Sequence, residues 1–198
     1  MRFTIPNQLT LLRILITPIF FILFIQNTVT MQAWASMLFF IGSLSDWYDG
    51  WYARKFGVIT RWGQFMDPLA DKILVTSALI AFAVLGYVYW LMVWTIVIRD
   101  VIITFNRIYS LTIGKAIITR TVAKWKTAAQ MVTIFLILIF INWRNFYYPD
   151  SPVYRANYYD YIGISMGIVT VLTIISGIIY IVENRDMLMD LLRNLIRL

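Results

Sequence analysis

The sequence predicts an all-α, polytopic membrane protein: six transmembrane helices in one bundle, with short interfacial helices at the N- and C-termini. Three observations carry that prediction. Hydrophobic residues make up 61% of the 198-residue chain and charged residues 14%, where a soluble domain would carry roughly a quarter charged. The apolar residues fall in runs near the length of a membrane span, about 20 residues each. The remaining charges are segregated. Arg2, Arg54, Lys55, Arg61, Lys115, Arg120, Lys124, Lys126, Arg185, Arg193 and Arg197 fall on one side of the predicted spans, and only Arg144 and Arg155 on the other. The positive-inside rule then puts both termini and the 55–61 loop in the cytoplasm, in a cell inner (cytoplasmic) membrane.

Thr4 to Leu11 reads as a short interfacial segment, with Pro6 near the first turn of a helix, where its missing N–H is harmless. A first span runs from about Thr10 to Ile25 and ends at the polar Gln26-Asn27-Thr28. The second runs from near Met31 to about Arg54, and Lys55 to Arg61 is a short polar connection. Helix resumes near Gly63, since Pro68 is tolerable only in the first turn or two. From Ile73 to Ile98 the chain is uncharged for 26 residues. One helix of that length would measure about 39 Å, longer than the hydrocarbon core. The better partition is a span from Asp67 to Leu85, a tight turn at Gly86-Tyr87, and a span from Val88 to about Arg107. The fifth span covers about Thr121 to Ile141. A wet aromatic loop, Asn142 to Asp160, follows with Tyr147, Tyr148, Tyr154, Tyr158 and Tyr159. Tyr161 to Val182 is the sixth span. Asp186 to Leu198 alternates pairs of apolar residues with Arg193 and Arg197, a pattern suited to an amphipathic surface helix. Neither a repeat nor a boundary divides residues 1–198, so a single membrane domain is expected.

The net charge of +7 raises nucleic acid as a partner, but no basic stripe with interleaved aromatics stands apart from the apolar runs. Contact with anionic headgroups explains the charge, and no nucleic-acid partner is expected. The absence of cysteine and histidine excludes disulfides, thiolate chemistry, histidine bases and most zinc sites. Met1 to Pro6 does not open a signal peptide, because no small-residue cleavage site follows the apolar run.

Four aspartates stand out: Asp46, Asp49, Asp67 and Asp71. The first pair is three residues apart and the second four, so each pair shares one helix face. A short loop joins the two helices at their cytoplasmic ends, which lets all four converge. Four like charges in low dielectric repel strongly, and few cations lie nearby in sequence to pair with them. A divalent cation or two is the natural neutraliser, and all-carboxylate ligation suits Mg2+ or Mn2+ far better than zinc. Hard metals in turn suggest a phosphate or pyrophosphate substrate. Gly50, Ala53 and Gly63 leave open backbone near the acids, where a flat base or a diphosphate could approach. Tight helix packing accounts for such small residues equally well. Arg54 is placed to pair with a carboxylate or bind phosphate.

These residues carry a resemblance. Asp46, Asp49, Gly50, Ala53, Arg54, Gly63, Asp67 and Asp71 are eight fixed positions over 26 residues, and they match in full the signature of the CDP-alcohol phosphatidyltransferases. The resemblance implies that Asp46, Asp49, Asp67 and Asp71 hold two Mg2+ or Mn2+ ions, which bind the diphosphate of a CDP-linked lipid. It also implies that Gly50, Ala53 and Gly63 line the cytidine pocket, with Arg54 near the phosphates. Asp71 would be the catalytic base, deprotonating an acceptor hydroxyl that attacks the β-phosphorus and expels CMP. Six spans with both termini cytoplasmic is the family's architecture as well, and the resemblance permits a homodimer.

The run Asn7-x2-Thr10-Leu11-Leu12-Arg13, together with Arg99-Asp100, Arg107 and Lys124-x-Lys126-Thr127-x2-Gln130-Met131, resembles one branch of the family. That branch transfers the phosphatidyl group of CDP-diacylglycerol to glycerol 3-phosphate. Arg107, Lys115, Arg120, Lys124 and Lys126 approach the predicted cytoplasmic rim, where they would hold the acceptor's phosphate or simply contact headgroups. Two places depart from the branch's pattern. Asn106 and Ile108 flank Arg107 where a leucine and an acid are expected, and Ala123 replaces a glycine. An inositol phosphate or another lipid alcohol therefore competes as acceptor. A cation transporter would place acids near mid-membrane on broken helices, often in repeated halves, and this sequence has neither feature. A prenyl-diphosphate transferase would lack the intervening Gly50-x2-Ala53-Arg54.

Overall fold

The computed structural model describes residues 5–57, 61–113, 121–149 and 154–185. They form six α-helices: α1 (Ile5–Ile25), α2 (Val29–Phe56), α3 (Arg61–Val84), α4 (Trp90–Ile113), α5 (Thr121–Tyr147) and α6 (Tyr161–Glu183). By length and composition α1, α5 and α6 can each cross a membrane. The other three are 28, 24 and 24 residues long and so long enough as well, but each mixes charged side chains among its apolar ones. The protein is all-α and membrane-associated, with at least three helices able to span.

The predicted order of elements holds, with four differences, one being that α4 runs on past Arg107 to Ile113. α1 begins at Ile5 and continues unbroken to Ile25, so residues 5–11 are its first turns rather than a separate interfacial helix. α2 runs on through Phe56 to a left-handed Gly57 (φ 62°), and α3 already begins at Arg61, which shortens the polar connection from both sides. α5 continues to Tyr147, so Asn142 to Tyr147 are helix, not loop. The reason is chemical: Asn142 donates to Ser36 Oγ at 2.7 Å and Asn145 donates to Gln32 Oε1. These polar residues are bonded to α2. The predicted amphipathic helix at 186–198 lies outside the described residues.

The turn predicted at Gly86-Tyr87 is present. Gly86 is left-handed (φ 74°), with Tyr87 N–H bonded to Phe82 O and Gly86 N–H to Ala83 O. This is the Schellman pattern, which satisfies the last carbonyls of a helix and needs a residue that tolerates positive φ. Asp160 caps α6 by accepting from Gly163 N–H at 2.7 Å.

The helices distribute over two compact units: Met1–Val88 with Ile134–Ala156, and Tyr89–Thr133 with Asn157–Leu198. In the first, α1 packs along both α2 and α3, while α2 and α3 touch each other little. A chain of buried rings, Phe24–Phe20–Phe39, fills the space and continues to Phe82 and Phe135. Gly42 allows the close approach: a Cβ there would lie 2.9 Å from Leu74 Cδ2 and 3.9 Å from Arg13 Cγ. In the second unit α4 packs against α6. Its interior combines apolar side chains such as Val93, Ile96 and Val169 with polar pairs, Arg99 Nη2 donating to Ser176 Oγ at 2.9 Å and Asn106 Nδ2 to Tyr180 Oη at 2.6 Å.

Candidate active site

The acid pairs sit where helical spacing requires, Asp46 and Asp49 near the C-terminal end of α2, Asp67 and Asp71 in the N-terminal half of α3. The two helices run antiparallel beside α1, so these ends come together. Asp46 lies within electrostatic reach of Asp71 and Asp67, and Asp49 within reach of Asp46 and Asp67. The four carboxylates thus lie on neighbouring ends of two helices in the first unit, near enough to feel one another's charge. Their exposure differs: the Asp49 side chain is 6% exposed, Asp46 40% and Asp71 24%.

The surprise comes from α1. Arg13, 0% exposed, places Nη2 2.6 Å from Asp49 Oδ2 and Nη1 2.7 Å from Asp46 Oδ1. One turn earlier, Thr10 Oγ1 donates to Asp67 Oδ1 at 2.6 Å and also lies 3.0 Å from Pro6 O. Lys72 Nζ stands 3.7 Å from Asp71 Oδ2. Few cations lie near the acids in sequence, but Arg13 reaches them from 36 residues before Asp49. The signal was legible in part. Asn7, Thr10, Arg13 and Thr17 recur every three or four residues, and all four are buried, so they form one polar stripe on an otherwise apolar helix.

Among the described residues, no three acidic side chains are arranged to hold one metal ion. The Arg13 guanidinium bridges the two acids of α2 and takes one oxygen of each. The donor set still fits a hard divalent cation: four carboxylates and no nitrogen or sulfur, three of the acids only partly buried. Of the predicted nucleotide-binding positions, Gly50 and Ala53 are half-buried on α2, and Gly63 is buried near the start of α3. The Arg54 side chain lies outside the described residues.

The predicted acceptor cations belong to the second unit and divide into two kinds. Arg107 and Lys124 are exposed. Lys126 is fully buried, with Nζ 2.5 Å from Asp100 Oδ1 and 2.7 Å from Gln130 Oε1; Arg99 Nη1 reaches the same Asp100 oxygen at 3.0 Å. Lys126 is thus engaged in an internal ion network. Lys115 and Arg120 lie outside the described residues. The departure at Asn106 also has an internal explanation, since this buried amide bonds to Tyr180 of α6.

Residues 3–182 match the CDP-alcohol phosphatidyltransferase family. The chain is 33% identical over 195 residues to the CDP-diacylglycerol–glycerol-3-phosphate 3-phosphatidyltransferase of Escherichia coli (strain K12), covering 96% of this chain and 100% of that one. A protein of the same name from Haemophilus influenzae is 32% identical over 194 residues, covering 96% and 98%. Another, from Wigglesworthia glossinidia brevipalpis, is 36% identical over 142 residues, covering 70% and 78%. Full-length similarity and an intact eight-residue signature on two adjoining helices lead to one conclusion: the chain belongs to the CDP-alcohol phosphatidyltransferase family.

Proposed function

We propose that this chain transfers the phosphatidyl group of CDP-diacylglycerol to glycerol 3-phosphate, giving phosphatidylglycerol phosphate and CMP. The observation that carries this reading is end-to-end similarity to relatives that all bear the name of that reaction. The clustered acids of α2 and α3 give it a chemical seat.

In this reading Asp46, Asp49, Asp67 and Asp71 hold two Mg2+ or Mn2+ ions, which when bound supply charge neutralisation for the diphosphate and the departing CMP. Gly50 and Gly63, lacking side chains, and Ala53 admit the cytidine, and the role of binding the phosphates is assigned to Arg54. Asp71 takes the proton from the acceptor hydroxyl. The acceptor oxygen then bonds to the β-phosphorus as the bond from that phosphorus to the CMP oxygen breaks, and CMP leaves with the electron pair. A carboxylate is a weak base toward an alcohol, so its usefulness depends on geometry. The acceptor's own phosphate requires cations, a role assigned to Arg107 and Lys124 together with Lys115, Arg120 and Lys126. All six helices span a cytoplasmic membrane as one catalytic domain, with the acids and both termini on the cytoplasmic side, and Asp49 of α2 and Asp100 of α4 are buried inside the protein. Membrane lipids surround the chain, and a homodimer is compatible with it.

The test is CMP release by the purified protein in detergent with CDP-diacylglycerol and Mg2+. Release with glycerol 3-phosphate but not with inositol phosphate, serine or phosphatidylglycerol is expected. No release with any acceptor overturns the transferase reading. Asp71→Asn should lose turnover while still binding CDP-diacylglycerol, and an active variant would remove Asp71 as the base.

A further inference from the structure

We propose that Arg13 is a resident counter-cation of the acid quartet, holding Asp46 and Asp49 when no divalent ion is bound and giving up their oxygens when one binds. The inference rests on the metal-site reading above and assigns to α1 a part in it that the signature residues do not contain.

Three observations carry it. The guanidinium is fully buried and touches one oxygen of each α2 acid, at 2.7 and 2.6 Å, so any ion held by both acids must displace it or share with it. Its satisfaction is incomplete. The Nη1 contact with Asp46 is close but poorly aligned, and among the described residues neither Nη1 nor Nε has a well-directed hydrogen-bond acceptor. A purely structural buried arginine normally has its donors filled, because unfilled ones are costly. The charge balance also favours a divalent ion. Arg13 offsets one of four clustered carboxylates, and Thr10 gives Asp67 only a neutral hydroxyl. Even with Lys72 beside Asp71, the cluster stays net negative. Arg13 lowers the repulsion that would push α2 and α3 apart, without cancelling the field that attracts a metal.

The consequence is competition. Removing the positive charge should weaken the metal-free protein and tighten metal binding together. The variant then gains more thermal stability from the ion than the wild type does, because a ligand that binds only the folded state stabilises it according to its affinity.

The experiment uses the full chain in detergent and two readouts other than turnover. Mn2+ binding is followed by the loss of the free-ion electron paramagnetic resonance signal, and thermal unfolding is measured in chelator and in Mn2+. Arg13→Gln should bind Mn2+ about tenfold more tightly or better, a modest fraction of what a full charge at this range can do. It should melt lower than wild type in chelator and show a larger Mn2+-induced rise. Arg13→Lys, whose ammonium is a point charge that cannot fork across two carboxylates, should fall between. A merely structural arginine would lower the melting temperature equally with and without Mn2+, and that result overturns the proposal. So does an Arg13→Gln variant with wild-type Mn2+ affinity while the wild type binds the ion normally. If Arg13→Gln cannot be recovered in either condition, Arg13→Lys decides: wild-type affinity and an unchanged Mn2+-induced shift overturn the proposal. A wild type that binds no Mn2+ overturns the metal reading and this proposal with it.

Discussion

Thr10→Val tests whether α1 sets the position of an acid on α3. The substitution keeps the shape of a fully buried side chain and removes its hydroxyl, and with it the 2.6 Å bond to Asp67. A hydrogen bond to a charged group contributes about 1.5–3 kcal/mol net. Asp67 is only partly buried, so water can replace some of the loss, and a destabilisation of about 1–2 kcal/mol is expected. For a chain of this size that is a fall in melting temperature of roughly 2–8 °C. Activity should fall further than stability, because a reacting group misplaced by about 1 Å can lose on the order of a hundredfold in rate. A drop of about tenfold in kcat, with Thr10→Ser near wild type, is the expected pattern. The assay is CMP release at saturating CDP-diacylglycerol, run beside a thermal melt of the same preparation. Wild-type kcat and melting temperature in Thr10→Val would refute the view that this bond positions Asp67.

Three further predictions concern the second unit. Lys126→Met should destabilise by about 3 kcal/mol or more, because it removes one of the buried partners of Asp100. Lys124→Met should leave the melt unchanged and raise the KM for glycerol 3-phosphate several-fold; an unchanged melt in Lys126→Met would return that residue to the acceptor role alone. Gly163→Ala should cost about 3 kcal/mol or more, because its Cβ would overlap the Asn157 carbonyl oxygen at 1.8 Å. A near-native melt for that variant would mean that the Asn157–Asp160 turn yields easily.

How much of this was legible depended on whether the information was periodic or long-range. Apolar run lengths located all six helices, and Gly86 correctly divided a 26-residue uncharged run that no single span would fit. Helix ends were harder. Asn142 and Asn145 look like loop residues by composition, and their α2 partners Ser36 and Gln32 are not visible in local sequence. In the candidate site, i,i+3 and i,i+4 spacing was enough to put each acid pair on one face. Which cation meets them was not legible from local sequence, because Arg13 lies on another helix. Lys126 shows the converse difficulty. Its place among basic residues suggested a rim contact, whereas the buried Asp100 and Gln130 around it are visible only in three dimensions.

The eight signature positions all lie on α2 and α3, yet these two helices barely touch each other, whereas α1 packs along both. Convergence of the acids therefore cannot be a property of α2 and α3 alone. Something must fix their relative height and rotation, and a slide of one helical turn, 5.4 Å, would carry an acid out of reach of its partners. α1 supplies contacts of the required precision: Arg13 to both acids of α2 and Thr10, three residues earlier, to one acid of α3. Gly42 keeps this arrangement close, since the open space at its Cα is bounded by Leu74 of α3 and the stem of Arg13 of α1. The polar stripe of α1 is thus the frame that makes two separate acid pairs into one site, which is why Thr10 and Arg13 belong with the aspartates in any account of how it works.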